Sequence, residues 1–313
     1  MKIAVIIINW NGKADTLACL HSLSKESYTN KYIIVVDNGS RDGSVNTIKK
    51  SYPEVIIVAE TKNIGFAAGN NKGIETALQL GCDAVFLLNN DTTVDEKCIS
   101  SLVSASKEYP GTILGAKIYQ MGNPTYLDHL GGNWNSSTGN FDLIGKNELG
   151  LINYLTPITM DYACGCAIFI PSFVIKQVGM LYPHYFLYWE DSDFCFRARR
   201  LGYPTRLCPF AKVWHIGSSS MNSHSIQTIY YWWRNRLLWI DRNLSTIEKK
   251  KVWRKCIYRE ILQTYKLYFL HWTQWKIYRQ YEKKNSFYSK RRKRLLHYSA
   301  ACQGIYHYIV GKF

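Results

Sequence analysis

Apolar residues in the first hundred positions come as short continuous runs separated by amphipathic stretches. Ile3–Ile8, Tyr32–Val36, Val55–Ala59 and Ala84–Leu88 are strand-length runs of the kind buried on both faces of a sheet. Helices are predicted near Ala14–Lys25 and Gly43–Ser51, from the glycine-containing segment Asn63–Asn71 to Leu80-Gly81, and over Glu96–Glu108. This alternation predicts a parallel sheet with right-handed crossovers. From Ile113 to Ile170 the pattern breaks into short strands and Gly/Asn turns, such as Gly131-Gly132-Asn133 and Ser136–Asn140. Hairpins, a mixed sheet and a mobile wall of a site are expected there. Pro171–Gly179 and Asp191–Gly202 read as helices, the second closed by Gly202. Past residue 224 the period is helical, with Ile226, Ile229, Tyr230, Trp233, Leu237, Ile240 and Leu244 three or four apart. Ser245-Thr246-Ile247-Glu248 then has the form of a capping box, opening a helix through about Leu270.

Three of the apolar runs end in polar tips: Asn9-Trp10-Asn11-Gly12, Asp37-Asn38-Gly39-Ser40 and Asn89-Asn90-Asp91-Thr92. Ligands of open α/β sheets gather outside the carboxyl ends of the strands, so these tips define a site. Asp91 is placed there to hold a divalent cation against a phosphate. Asp37 suits recognition of a base or ribose edge, or else an Asx-turn or helix cap. Gly65-Phe66-Ala67-Ala68-Gly69 opens a helix, and its small residues permit close backbone approach to a phosphate or sugar; tight helix packing explains them equally well.

Trp189-Glu190-Asp191-Ser192-Asp193-Phe194 gathers acids at a helix start. Helix N-termini favour acids, which is enough to account for Asp193. Glu190 and Asp191 directly follow the aromatic run Tyr185–Trp189 and look like a carboxylate pair at the floor of a cleft, one of them a general base with a tuned pKa. His215, in Val213-Trp214-His215-Ile216-Gly217, is a satisfied structural histidine or, beside Asp91, a ligand for Mn²⁺ or Mg²⁺. Cys164-Gly165-Cys166 reads as a strand segment whose thiols point to opposite faces, a poor metal site.

Composition adds two facts. The nine cysteines form no C-x-x-C pair and no regular framework, which points to reduced thiols in a cytosolic setting. The net charge of +16 is confined to one end: from His224 onward lie 20 of the 39 basic residues and 4 of the 23 acidic ones. The same tail carries six of the ten tryptophans and eleven of the 23 tyrosines. A neutral body over 1–223 and a basic, aromatic helical extension over 224–313 are therefore expected. Interleaved aromatic and basic residues suit either nucleic acid or an anionic membrane surface. The charge avoids the α/β body and the tail holds no recognition motif, which speaks against nucleic acid. No signal peptide is evident, and no apolar run approaches 18 residues, so no transmembrane helix is expected. A nucleotidyltransferase would need a glycine-rich, Lys/Arg-bearing loop after the first strand, which Asn9-Trp10-Asn11-Gly12 is not.

Taken in order, Ile-Ile-Asn-Trp-Asn-Gly, Val-Asp-Asn-Gly-Ser, Asn-Ile-Gly-Phe-Ala-Ala-Gly-Asn-Asn, Leu-Leu-Asn-Asn-Asp-Thr, Trp-Glu-Asp-Ser-Asp-Phe and Trp-His-Ile-Gly resemble the inverting family 2 glycosyltransferases of the GT-A fold, especially their bacterial rhamnosyltransferase-like branch. The resemblance covers about residues 2–240. It implies an α/β GT-A fold and a nucleotide-sugar donor site that includes Asn9, Asn11, Asp37, Asn38, Gly65, Phe66, Gly69, Asn70, Asn89 and Asn90. By the same resemblance Asp37 reads the nucleobase, Asn89-Asn90-Asp91 is the counterpart of an Asp-x-Asp metal motif, and His215 matches a metal-binding histidine. Asp191 is the implied base for the acceptor hydroxyl, with Glu190 helping to position it. Asn89 replaces the first acid of the motif, so metal affinity should be lower and depend more on the bound diphosphate. The implied partners are a lipid-linked or glycan acceptor and an anionic membrane surface, with the enzyme peripheral at the cytoplasmic face. dTDP-L-rhamnose is the favoured donor, with UDP-hexoses as the alternative.

Overall fold

A computed structural model describes residues 1–217, 225–278 and 286–313, without the side chains of 277–278 and 286–291. The chain opens with β1 (Ile3–Asn9), α1 (Lys13–Ser24), β2 (Lys31–Asp37), α2 (Ser44–Ser51), β3 (Ile56–Ala59), α3 (Phe66–Gln79), β4 (Ala84–Asn89), β5 (Thr92–Val94) and α4 (Cys98–Glu108). Next come β6 (Ile113–Gln120), β7 (Asn123–Leu127), β8 (Gly131–Asn135), β9 (Asn140–Ile144), β10 (Thr159–Met160), β11 (Tyr162–Ala163) and β12 (Ala167–Pro171). The described remainder is α5 (Ser172–Val178), α6 (Glu190–Arg200), β13 (Thr205–His215), α7 (Ile226–Asn243), α8 (Thr246–Val252), α9 (Tyr258–Tyr278) and α10 (Ser286–Ile309).

The main sheet runs in the order β10-β13-β6-β12-β4-β1-β2-β3. β1 pairs in parallel with β2 on one side and β4 on the other, so the strand order reverses at β1 and opens a crevice at its carboxyl end. β12 runs antiparallel to both β4 and β6, the mixed sheet expected from the change of pattern after residue 113. Burial on both faces explains the unbroken apolar runs: every residue from Ile3 to Ile7 and from Ala84 to Leu88 is buried.

Two compact units divide the chain: Met1–Asn133 with Asp142–Ser220, and Trp134–Phe141 with Met221–Phe313. The boundary expected near residue 223 falls in 218–224, outside the described residues. In the second unit the β8–β9 hairpin tip groups with the C-terminal helices. Trp239 of α7 packs on Trp134 and Phe141 at ring-centroid distances of 4.5 and 5.1 Å. The buried Arg236 donates from Nε to the Gly139 carbonyl (2.7 Å) and from its terminal nitrogens to the Thr138 carbonyl and to Glu260 (2.6 Å each). Ser245 and Glu248 make both hydrogen bonds of the capping box. The helix it starts passes through a π-helical turn, Trp253–Ile257, into α9, and so runs beyond Leu270.

Helix α3 lies close against the sheet. A β-carbon at Gly73 would overlap Cγ2 of Ile6, a fully buried and β-branched residue. Alanine usually gains about 1 kcal/mol over glycine inside a helix. Overpacking costs about 1–3 kcal/mol, so Gly73→Ala should lower stability in chemical denaturation. Gly122→Ala, with nothing within 4 Å of its β-carbon, should be neutral. A gain in stability for Gly73→Ala would mean that α3 stands off β1.

Candidate active site

Strand register brings the polar tips together, with Ile8 opposite Asn89 and Asn9 opposite Asp37. Their side chains first satisfy one another. Asn9 Nδ2 donates to Asp37 Oδ1 (2.7 Å) and lies 2.8 Å from Ser44 Oγ, while its Oδ1 accepts from the Thr16 hydroxyl (2.9 Å). Asp37 Oδ2 accepts the Ser40 N–H three residues on (2.9 Å), one residue beyond the span of an Asx-turn, so the side chain braces its own loop and any contact with a base must share these oxygens. Asn11, in the left-handed region at φ 52°, accepts the Arg41 N–H (2.8 Å). Asn9 and Asn11 therefore act on the loop that shapes the crevice.

The glycine segment divides in the same way. Gly65 caps α3 at φ 92°, where a β-carbon would strike the ring and carbonyl of Phe186. A β-carbon at Gly69 would lie 3.1 Å from Asn38 Nδ2, which itself donates to the Gly65 carbonyl (3.1 Å). Asn70 Nδ2 donates to the Phe66 carbonyl one turn back (3.0 Å), and the Phe66 N–H donates to the Phe186 carbonyl (2.6 Å). Close packing thus accounts for the glycines. The segment fastens α3 to the aromatic loop 181–189.

The cation side is assembled by β5 and β13. Their antiparallel register sets His215 opposite Thr92, and the Ile216 N–H donates to the Asp91 carbonyl (3.0 Å). His215 Nε2 consequently lies 3.3 Å from Asp91 Oδ1, while its Nδ1 lies 2.7 Å from Asp128 Oδ2. Burial depresses the His215 pKa, but hydrogen bonds to Asp128 and Asp91 outweigh it and raise the imidazole to about 10. In the metal-free protein an imidazolium therefore neutralises Asp91. Octahedral ligands about 2.1 Å from a small cation stand roughly 3 Å apart on neighbouring vertices, and Asp91 and His215 match that spacing. Asn89 Oδ1 is buried without a hydrogen-bond partner, as a neutral ligand or donor contact would require. Asn90 instead donates to the Thr16 hydroxyl (3.1 Å). Among the described residues no cluster of three or more His, Cys, Asp or Glu forms a metal cage.

The base side starts at α6. Asp191 Oδ2 accepts the Gly165 N–H (2.9 Å) and Oδ1 the Ser192 N–H (2.7 Å). Burial outweighs these bonds and raises Asp191 to about 6. Burial, then the neighbouring Asp191 charge, hold Glu190 well above the carboxylate range, and its Oε2 has no hydrogen-bond partner. Asp193 is engaged elsewhere, pairing with Arg197 Nε (2.8 Å) and accepting from the Tyr185 hydroxyl (3.1 Å). Before α6, a hydrogen bond from the Leu187 N–H to the Tyr185 carbonyl closes a γ-turn at Phe186 (φ 60°, ψ −56°), and Tyr188 and Trp189 also have positive φ. Such backbone costs about 1–3 kcal/mol per residue and collects at functional sites.

Cys164-Gly165-Cys166 is not a strand. It is the turn between β11 and β12, and its two buried thiols lie close enough to perturb each other electrostatically. All nine cysteines are free and buried. The turn links the two sides, because the Asn89 N–H donates to the Cys166 carbonyl (2.9 Å). Asp128 and His129, which carry no motif in the sequence, stand at its edge: His129 Nδ1 is 3.6 Å from Asp128 Oδ1, and the ring lies near Cys164.

A mainly parallel α/β sheet with acids at its carboxyl edge is the GT-A architecture of glycosyltransferases. The glycosyl transferase family 2 model matches residues 4–176, and the chain belongs to that family and is a glycosyltransferase. It is 26% identical over 245 residues to a low-salt glycan biosynthesis hexosyltransferase of Haloferax volcanii, covering 75% of this chain and 74% of the relative. It is 23% identical over 256 residues to a dTDP-rhamnosyl transferase of Shigella flexneri, covering 77% and 81%. Among solved structures, GalNAc-T7 with UDP, GalNAc and Mn²⁺ superposes with a TM-score of 0.61 at 15% identity, over 78% of this chain and 49% of that one.

A carboxyl group held as Asp191 is should titrate visibly. In ¹³C-carboxyl NMR its transition is expected at about pH 6, above the ordinary aspartate range. A midpoint near 4 would mean that its two backbone N–H bonds outweigh its burial.

Proposed function

We propose that this glycosyltransferase inverts the anomeric centre of a sugar, best L-rhamnose from dTDP-L-rhamnose, as it passes from a nucleotide diphosphate to a lipid-linked or glycan acceptor at the cytoplasmic face of the membrane. The observation that carries the proposal is the pairing of Asp91 with His215 on one side of the Cys164–Cys166 turn and the tuned Asp191 on the other. Asp191 takes the proton of the acceptor hydroxyl, and a pKa of about 6 leaves it mostly ionised at neutral pH. Glu190, kept protonated, can donate from its carboxyl group. Asp91 and His215 hold a divalent cation, Mg²⁺ or Mn²⁺, whose chemistry is to neutralise charge developing on the leaving diphosphate. Because His215 must give up its Nε2 proton to bind a metal, cation binding releases that proton. The Shigella relative favours dTDP-L-rhamnose, with UDP-hexoses as the alternative.

A donor panel followed by thermal shift tests this assignment. Wild type should be stabilised by one nucleotide sugar, dTDP-L-rhamnose first, more strongly with Mn²⁺ than without. Asp91→Ala should lose the Mn²⁺-dependent part. Asp191→Asn should keep donor stabilisation while transfer falls by about 10²–10⁴-fold, the range for loss of a general base. Full transfer by Asp191→Asn would refute its role, and a product of retained configuration would refute single displacement.

Two surfaces support the lipid part of the proposal. Leu149, Leu151, Ile152 and Leu155 are exposed on a loop whose Gly150, Asn153 and Tyr154 carbonyls accept from the buried Lys117 Nζ at 2.5, 2.6 and 3.2 Å. Helix α9 exposes Tyr258, Leu262, Phe269 and Trp272 together with Arg259, Lys266 and Lys276. Among the described residues no helix is long and apolar enough to cross a membrane. Of the basic cluster Lys290–Arg294, the side chains of Lys290 and Arg291 lie outside the described residues. Burying one Leu or Phe side chain is worth about 1.5 kcal/mol or more, so Leu262→Gln with Phe269→Gln should weaken binding to phosphatidylglycerol vesicles at least roughly tenfold. Unchanged vesicle binding would remove α9 from the interface, and salt-sensitive capture by DNA instead of vesicles would favour the nucleic-acid alternative.

A further inference from the structure

We infer that Asp128 is a positioning residue that fixes the His215 ring for the cation, an inference that rests on the cation assignment proposed above. Asp128 follows β7, where its N–H donates to the Ile118 carbonyl of β6 (3.0 Å). This tether to the sheet makes it a fixed acceptor. Its Oδ2 lies 2.7 Å from His215 Nδ1, the shorter of the two carboxylate contacts that ring makes. Nδ1 therefore keeps its proton, and Nε2 is the nitrogen left to face Asp91 and a metal. A carboxylate behind a ligating histidine fixes its tautomer and orientation and raises its basicity.

The other oxygen gives Asp128 a second connection. Oδ1 faces His129, which lies near Cys164, and the Gly165 N–H next to it donates to Asp191. Asp128 is thus placed to hold the His215 ring steady against the same turn that carries the base. It is itself no ligand in this arrangement, because His215 stands between it and Asp91.

Binding of Mn²⁺ alone, read from loss of the free-ion electron paramagnetic resonance signal, separates this role from a structural one. Asp128→Ala should bind Mn²⁺ about 10–100-fold more weakly than wild type, the usual cost of losing such a partner. Asp128→Asn, which keeps an acceptor oxygen without the charge, should fall between the two. In transfer assays both variants should raise the Mn²⁺ concentration needed for half-maximal rate by a similar factor, with kcat at saturating Mn²⁺ within a fewfold of wild type. A merely structural role predicts lost stability with unchanged metal affinity, so the Asn variant keeps the test decisive if the Ala variant folds poorly. Wild-type Mn²⁺ affinity in the folded Asn variant would overturn the inference if Asp91→Ala abolishes binding in the same assay. No Mn²⁺ binding by wild type would overturn this inference together with the cation assignment.

Discussion

The turn Cys164–Cys166 joins the strand end that carries Asn89 to the start of α6, and two hydrogen bonds made by its own backbone do the joining. The Asn89 N–H donates to the Cys166 carbonyl, continuing the β4–β12 ladder past the last apolar residue. The Gly165 N–H donates to Asp191, fixing the start of α6 against that ladder. Asn89 and Asp191 are far apart in sequence, yet each stands one hydrogen bond from the same three residues. Two backbone bonds hold this arrangement more rigidly than long side chains would, because few rotamers lie between the anchor points. Gly165 adds to it: a β-carbon there would lie 3.2 Å from Asp191 Cβ, so a larger residue would push the Asp191 carboxyl away.

Charge then decides how this crowded edge survives without ligand. Asp91 and Asp128 flank one histidine, and Glu190 and Asp191 are neighbours, in a body whose residues 1–223 carry no net charge. Like charges at such spacing destabilise one another unless cations intervene or protons are taken up. The structure uses both remedies. His215 sits between Asp91 and Asp128, His129 stands beside Asp128, and burial next to the Asp191 charge holds Glu190 well above the carboxylate range. The two carboxyl groups at the start of α6 therefore differ in surroundings although they are adjacent in sequence. Burial is deeper at Glu190, and only Asp191 has two backbone N–H groups to hold its charge.

Whatever depended on local periodicity was legible in the sequence. The strand Ala84–Asn89 and its polar tip, the capping box at Ser245 and the acidic start of α6 all follow from runs, caps and spacing. Asp193 as a helix-start residue was equally readable, although its Arg197 and Tyr185 partners were not. Asp128 and His129 stayed hidden because register between β6, β7 and β13, not any motif, carries them to His215. The Cys164–Cys166 segment misled for a related reason. A three-residue stretch between short strands has no period to betray a turn, so strand alternation does not hold there. The glycines at 65 and 69 were ambiguous in principle, since close approach to Phe186 or Asn38 and close approach to a phosphate demand the same missing side chain.

The tail shows where composition stops being informative. Its basic excess looks uniform in sequence, yet Arg234 and Arg236 are buried within the helical unit, where Arg236 satisfies two backbone carbonyls and Glu260. A guanidinium used this way fastens the Trp134–Phe141 tip to α7 and α9 and offers little to an outside partner. The C-terminal part of the stripe on α7 is likewise spent, since Leu237 and Ile240 are buried, whereas Ile226 at its start is exposed. Beyond α7, α9 exposes aromatic and leucine side chains interspersed with lysine and arginine. That mixture suits the boundary between headgroups and acyl chains better than a phosphate backbone: Leu262 and Phe269 gain nothing from phosphates, whereas both gain from leaving water. Buried arginines that hold the fold and an exposed face open to a partner thus separate along one basic stretch.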